Sequence, residues 1–363
     1  MVLSPHINQT RNSTRSDSNS KKCKAPVTQC RNDEMKTNFR VKCCCWYPKT
    51  IAFTDLMSTG SVGNIGTNPV TDKMDLSLLF VGTDVGTVVC YVVLVSSSLP
   101  HIVETTQLVE LPIGADIDGN THSVQCVTVC SHTKSNENNV CGSVFIGTGN
   151  GCVLRYDFKL TYTYHSSISS QPVTADCLQL DTSFLWEQQL FESSQVVGKI
   201  ATCSSVVNAE KTGDFFVATA GSAISICDCY LPMGGNSTNG ISNQSQHIHG
   251  SAISGVVVVP SHLGISQGLN VTVYPSSTTE VTDYYVYSCG FDGNVNEYKV
   301  KCLSVPNSTS SPVSSSGAIN NTCYSLEFME TVYSNRHNMQ MLGLALDPLK
   351  LMLSCVSVIP GEL

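Results

Sequence analysis

The chain is 363 residues long, 41% hydrophobic and only 13% charged, about half the usual charged share, so it reads as a packed domain rather than a disordered one. A formal net charge of −8 argues against a chain drawn directly onto nucleic-acid backbone. Many of its 18 cysteines fall in apolar runs (Cys90, Cys126, Cys130, Cys203, Cys289, Cys355), where free thiols serve as small hydrophobes, so the expectation is a reducing compartment rather than a secreted disulfide framework.

Residues 1–38 are polar and rich in Ser, Asn, Lys and Arg, and lack hydrophobic periodicity. They are expected to form a disordered, solvated tail. The segment has no apolar core of the kind a signal peptide needs. Its Lys21, Lys22 and Lys24 are read as a solvated charge run in preference to an import signal. No apolar stretch reaches the ~18 residues that would suggest a transmembrane helix, so no membrane partner is expected. Asn-x-Ser/Thr sequons at Asn8, Asn12, Asn236, Asn243, Asn270, Asn307 and Asn320 are read as the composition of polar loops, not as glycan sites.

From residue 39 to 363 the chain repeats one unit. An apolar run opens it (41–46, 122–129, 199–206 and 251–259). A strand–turn–strand segment follows (78–93, 143–160, 215–231 and 285–300), rich in the β-branched and aromatic residues that suit a pleated, half-buried surface. Each segment turns at a glycine: Gly86, Gly151, Gly221 and Gly293. Asn150-Gly151 and Asp292-Gly293 are expected to supply the positive φ of two-residue hairpin loops. Three of the units end in a further run that carries an acidic residue (107–112, 184–191 and 324–332). A fifth unit begins at 341 and shows two strands.

A recurring unit of three or four strands, with glycine turns 65, 70 and 72 residues apart, predicts an all-β fold: a WD40-like β-propeller of about five recognisable blades. The spacing exceeds the ~40–45 residues of an ordinary WD40 repeat. Ser/Asn-rich insertions at 131–142, 233–250, 261–283 and 304–321 account for the excess, because loop closure cost grows only logarithmically with length. A two-sheet sandwich would not need the same unit five times. The last blade is incomplete, so the propeller of residues 39–363 is itself expected to be incomplete.

The search for chemistry yields no catalytic, cofactor-binding or metal-ligating set. The run Gly147 to Gly151 (GTGNG) resembles a dinucleotide loop, yet it joins strand to strand and lacks the helix N-terminus that would hold a pyrophosphate. Cys43, Cys44 and Cys45 lack the spacing of a zinc site, and Cys227 and Cys229 alternate on one strand face toward the core. His247 and His249 are placed in a polar insertion. Asp84, Asp292 and Asp347 are read as turn residues bonding local amides. Glu187, Glu327 and Glu330 are read as solvent-facing residues of outer strands, and Trp46 and Trp186 as packing anchors between blades. The expectation is a protein without enzymatic activity and without a cofactor.

The order of these segments resembles one family. FLWEQQLF precedes KIATCSSV; FFVATAGSAISICDCYL, HGSAISGVVVVP, VYSCGFDGNVNEY and YSLEFMETV follow. LGLALDPLKLMLSCVSV resembles a closing G-x-A-x-(S/D)-P strand motif. From about Lys42 onward this succession is similar to the N-terminal propeller region of the delta subunit of general transcription factor IIIC. Most of the individual motifs are shared by WD40 proteins at large, and the family's earlier blade and its C-terminal zinc-binding region have no counterpart here. The resemblance implies a nuclear scaffold in RNA polymerase III transcription initiation. Its implied partners are the other transcription factor IIIC subunits and the polymerase III machinery, with DNA reached only through the complex. Members of the family have been assigned histone acetyltransferase activity, but no acetyl-coenzyme A site is legible in this sequence. The alternatives are a WD40 scaffold of another intracellular complex and a histone acetyltransferase subunit.

Overall fold

A computed structural model describes residues 39–48, 51–52, 74–96, 102–113, 122–131, 140–162, 178–202, 215–229, 246–260, 284–304, 322–334, 339–347 and 352–358. They belong to one compact unit, Lys36–Leu363. The N-terminal tail, all of the sequons, Cys203 and most of each polar insertion lie outside the described residues.

Every described element is a β-strand, and the strands form successive antiparallel meanders. The first sheet runs β1 (Val41–Trp46), β3 (Met74–Thr83), β4 (Thr87–Ser96), β5 (Ile102–Pro112), with the short β2 (Ile51–Ala52) also paired to β3. The second runs β6 (Val124–Ser131), β7 (Val140–Thr148), β8 (Cys152–Tyr162), β9 (Leu178–Gln189). The third runs β10 (Val197–Thr202), β11 (Phe215–Ala220), β12 (Ala223–Asp228), β13 (Gln246–His247). The fourth runs β14 (Ile253–Pro260), β15 (Tyr284–Gly290), β16 (Asn294–Ser304), β17 (Thr322–Ser334). The fifth holds β18 (Gln340–Asp347) and β19 (Met352–Val358).

The first strand of each sheet lies against the first strand of the next: β6 on β1, β10 on β6, β14 on β10 and β18 on β14. Four-stranded meanders that meet along their inner strands are blades placed side by side around an axis. The fold is a WD40-like β-propeller.

A shared irregularity shapes the joints. Each inner strand carries a bulge near its start, at Val41/Cys43, Val124/Cys126, Val197/Lys199, Ile253/Gly255 and Met341/Gly343. A bulge bends its strand and deepens the local twist, which suits the crowded centre of a propeller. In the first two blades the bulge sets a thiol over a glycine of the second strand, Cys43 over Gly82 and Cys126 over Gly147. The fourth blade exchanges the two, with Gly255 opposite Cys289. The absent side chain also admits the next blade. A Cβ on Gly82 would sit 2.5 Å from a Val124 methyl, and one on Gly147 would sit 2.6 Å from a Val197 methyl. Each of those fully buried valines contributes about 1.5–3 kcal/mol of hydrophobic stabilisation.

Polar links cross the same joints. Tyr47 donates its hydroxyl to the Cys141 carbonyl, and Tyr156 donates back to the Pro112 carbonyl. Thr128 donates to the Ile200 carbonyl, and Ser254 to the Met341 carbonyl. Between blades the core is aromatic and aliphatic: Phe80, Leu78 and Phe158 in the first joint, Phe145 and Phe216 in the second, Phe215, Val286 and Tyr298 in the third.

The hairpin loops differ from the expected two-residue form. The loops at Gly86, Gly151 and Gly293 are three residues long, and only the Gly221-Ser222 loop has two. The four glycines have φ of 81°, 81°, 56° and 77° in chain order. A three-residue loop places its left-handed residue last, after a turn of ordinary sign, so Asp292 and Asn150 need no positive φ themselves. The Gly293 amide donates to the Gly290 carbonyl at 3.1 Å, closing such a turn.

Candidate functional site

His249 joins Asp292 and Ser288 in a polar network of the fourth blade. The reading that put it in a polar insertion is corrected. His247 belongs to β13, and His249 is buried just before β14. Its Nδ1 lies 3.0 and 3.1 Å from the two Asp292 carboxylate oxygens, and its Nε2 lies 2.7 Å from Ser288 Oγ. The Ser288 and Tyr298 hydroxyls are 3.5 Å apart. Asp292 also accepts the amides of Gly250 and Asn294 at 2.9 and 3.1 Å. Burial pushes the Asp292 carboxyl up, but those two amides and His249 outweigh it and hold the group below the ordinary carboxylate range.

Serine, histidine and aspartate in this order resemble a nucleophile, its base and the base's orienting acid. The geometry assigns them another role. Ser288 is fully buried in the second strand of its blade, so no substrate carbonyl can reach its Oγ. The network ties the loop entering the blade to the turn between its second and third strands. The first two blades achieve a similar clamp with threonine. Thr83 accepts the Thr87 amide at 3.1 Å, and Thr148 accepts the Cys152 amide at 3.1 Å. Gly290 in the fourth blade has no side chain for this, and Asp292 with His249 takes over. Asp84 likewise reaches beyond its own turn, accepting the Arg40 amide at 2.7 Å, which corrects the expectation of a purely local bond. The side chain of Asp347 lies outside the described residues.

A second buried charge sits in the second joint. Arg155 on β8 donates through Nε to Asp157 at 3.0 Å and Ser143 at 3.2 Å, and through Nη1 to the Cys229 carbonyl of the third blade at 2.5 Å. The Nε1 of Trp186 donates to the same carbonyl at 3.2 Å, and its ring stacks on Phe216 at 5.8 Å. Trp186 is thus an anchor between blades. Trp46 is not: it is 51% exposed on the side of β1 opposite the Cys45 contact with the core.

The thiols divide by position. Cys90, Cys126, Cys130, Cys227, Cys229 and Cys289 are buried, whereas Cys355 is exposed on β19 against expectation. Burial pushes Cys126 up to about 12 and Cys43 up to about 11. Neither is an activated nucleophile. Among the described residues no group of three or more His, Cys, Asp and Glu side chains could hold a metal ion. Glu187, Glu327 and Glu330 lie exposed on β9 and β17, and Glu327 pairs with Lys301 at 2.8 Å across β16 and β17.

What the surface does offer is apolar. On β17, Phe328, Met329, Val332 and Tyr333 are all exposed. Two register shifts against β16 leave Met329 and Val332 as the extra residues of bulges, which turn outward. Bulges re-aim side chains, and here they leave apolar ones facing solvent. Sequence reasoning read 324–332 only as an outer strand with acidic residues; alternation of polar and apolar residues fails at Phe328-Met329, and that failure is the signal of the bulge.

No family model matches the chain, and no curated protein matches it. Among solved structures it is similar to the WD40 domain of SCAP from fission yeast. The identity is 10%, the alignment covers 90% of this chain, and the TM-score is 0.35. The chain spans 65% of that structure's length. The propeller assignment rests on the strand order and blade contacts described above.

Proposed function

We propose that the chain is a non-catalytic scaffold that works through protein–protein contacts, and that its setting is the transcription factor IIIC complex in RNA polymerase III transcription initiation. The observation that carries the scaffold reading is the sealed Ser288–His249–Asp292 network, the one catalytic-looking constellation among the described residues, which holds a turn rather than a substrate. The exposed apolar bulges of β17 give such a scaffold a surface to use. The complex itself is inferred from the succession of segments between Lys42 and the C-terminus. On this reading the protein is nuclear, its partners are sibling subunits and polymerase, and DNA is met only through the assembly.

Affinity purification of the tagged chain from nuclear extract, with co-purifying proteins identified by mass spectrometry, tests the proposal. Recovery of the other transcription factor IIIC subunits is the expected result. A cytoplasmic protein that recovers none of them removes the complex from the proposal, and the partners found then define the function. Saturable binding of acetyl-coenzyme A would remove the non-catalytic reading.

A further inference from the structure

The hairpin of the second blade carries a side chain that its counterparts lack. Among the described residues, the three-residue loops between second and third strands have Val85, Asn150 and Asp292 at their middle positions. Of these, Asn150 alone has a neutral side-chain amide. It is followed by Gly151, which has no side chain to screen its backbone nitrogen. That dipeptide has a reaction of its own. The Gly151 nitrogen loses its proton and bonds to Asn150 Cγ, ammonia leaves, and a five-membered succinimide closes. Water then opens the ring at either carbonyl, giving aspartate or isoaspartate, and no other reactant is needed.

The fold holds the reacting groups apart. The Thr148 hydroxyl donates to Asn150 Oδ1 at 2.5 Å, which ties the side-chain amide back toward β7 and away from the nitrogen of the following residue. Gln189 Nε2 donates to the Asn150 carbonyl at 2.6 Å. Gln189 is the last residue of β9 and is exposed, yet its whole amide is engaged. Its Nε2 also donates to the Phe191 carbonyl at 2.6 Å, and its Oε1 accepts the Cys152 thiol at 2.9 Å. The Leu190 and Phe191 amides donate to the Gly151 carbonyl. Residues 189–192 thus form a strap across the loop. Gly151 beneath it is buried, away from the solvent base that must take its proton.

The latch is particular to this blade. The first blade folds over its own turn in the same way, with the Ile113 amide donating to the Gly86 carbonyl at 2.9 Å. At the register of Gln189, however, the first blade has Pro112 and the fourth has Ser334, and neither can reach across with a side-chain amide. The one glutamine latch lies over the one loop that carries Asn-Gly among the described hairpins.

We infer that Asn150 is a deamidation site gated by the Gln189 strap. A closed strap holds the reaction back, and its release permits a one-way change. Isoaspartate carries the main chain through the former side chain and lengthens the loop by a methylene, which pulls the Thr148 hydroxyl off the Cys152 amide it accepts. Either product adds a negative charge to the loop. This goes beyond the scaffold reading and does not depend on which complex the chain serves.

The test incubates the purified full chain and a synthetic peptide of residues 145–155 side by side at neutral pH and body temperature. Peptide mapping by mass spectrometry follows the mass gain at Asn150 and separates aspartate from isoaspartate by elution. The expected rate in the folded chain is at least about tenfold below that of the peptide, because more than one hydrogen bond must open together. Gln189→Ala and Gln189→Glu, exposed changes that remove the donor, should each speed the reaction about tenfold. Gly221→Ala, which strains a hairpin in the next blade, should leave it unchanged. A folded chain that reacts as fast as the peptide overturns the inference, as does an unaltered rate in both Gln189 variants. Equal acceleration by Gly221→Ala also overturns it, by assigning the reaction to general unfolding instead of to the strap.

Discussion

Asp292 concentrates much of the local stability of the fourth blade, because one carboxylate answers two amides and an imidazole. Its folded-state pKa is depressed, so the stability it contributes is present above the unfolded carboxylate value, about 3.9, and is lost as pH falls through the folded value. Asp292→Asn should therefore lower the melting temperature at pH 7 and narrow its gap to the parent as the pH is taken below 4, within roughly the usual carboxylate range. A constant gap across that range would show that the charge is not the source of the effect. His249→Ala should cost about 1–3 kcal/mol at pH 7, since it strands Ser288 as well as Asp292; chemical denaturation measures this directly. The sequence displayed Asp292 at a turn, but its partner lies 43 residues earlier, and nothing local in the His249 region announced the pairing.

At the scale of the hairpin, the turn glycines are not equivalent. Gly151 combines a φ of 81° with two backbone carbonyls, of Phe191 and Glu192, at 2.7 and 2.6 Å from any added Cβ. The end of β9 folds over it, with the Leu190 and Phe191 amides donating to the Gly151 carbonyl at 3.1 and 3.2 Å. Gly221 has a φ of 56° and open space around it. Alanine at Gly221 should cost about 1–2 kcal/mol, the left-handed penalty alone. Alanine at Gly151 should cost clearly more, because backbone must also move. Equal unfolding midpoints for the two variants would contradict this arrangement. Glycine's position in each repeat was legible in the sequence. Loop length was not, because Asn-Gly and Asp-Gly suit both two- and three-residue loops, and the register of the flanking strands decides between them.

For the whole propeller, burial sorts the thiols. Among the described cysteines, a maleimide under native conditions should label Cys355 and Cys44 first, and Cys90, Cys126, Cys227 and Cys289 only once denaturant opens the blade joints; peptide mapping by mass spectrometry reads the order. Early labelling of Cys126 or Cys289 would mean that the inner strands do not pack as described. The repeated unit of three or four strands, the turn glycines and the two strands of the fifth unit were determined by sequence alone, because period-two apolar patterning and positive-φ glycines act over a few residues. Tertiary structure alone decided the rest: that Trp186 anchors a joint while Trp46 faces solvent, that His249 serves a neighbouring turn, that Met329 and Val332 turn outward, and that Glu297 is buried. Each of these depends on strand register and on which blade lies opposite, and contacts between residues far apart in the chain leave no periodic trace within any one segment.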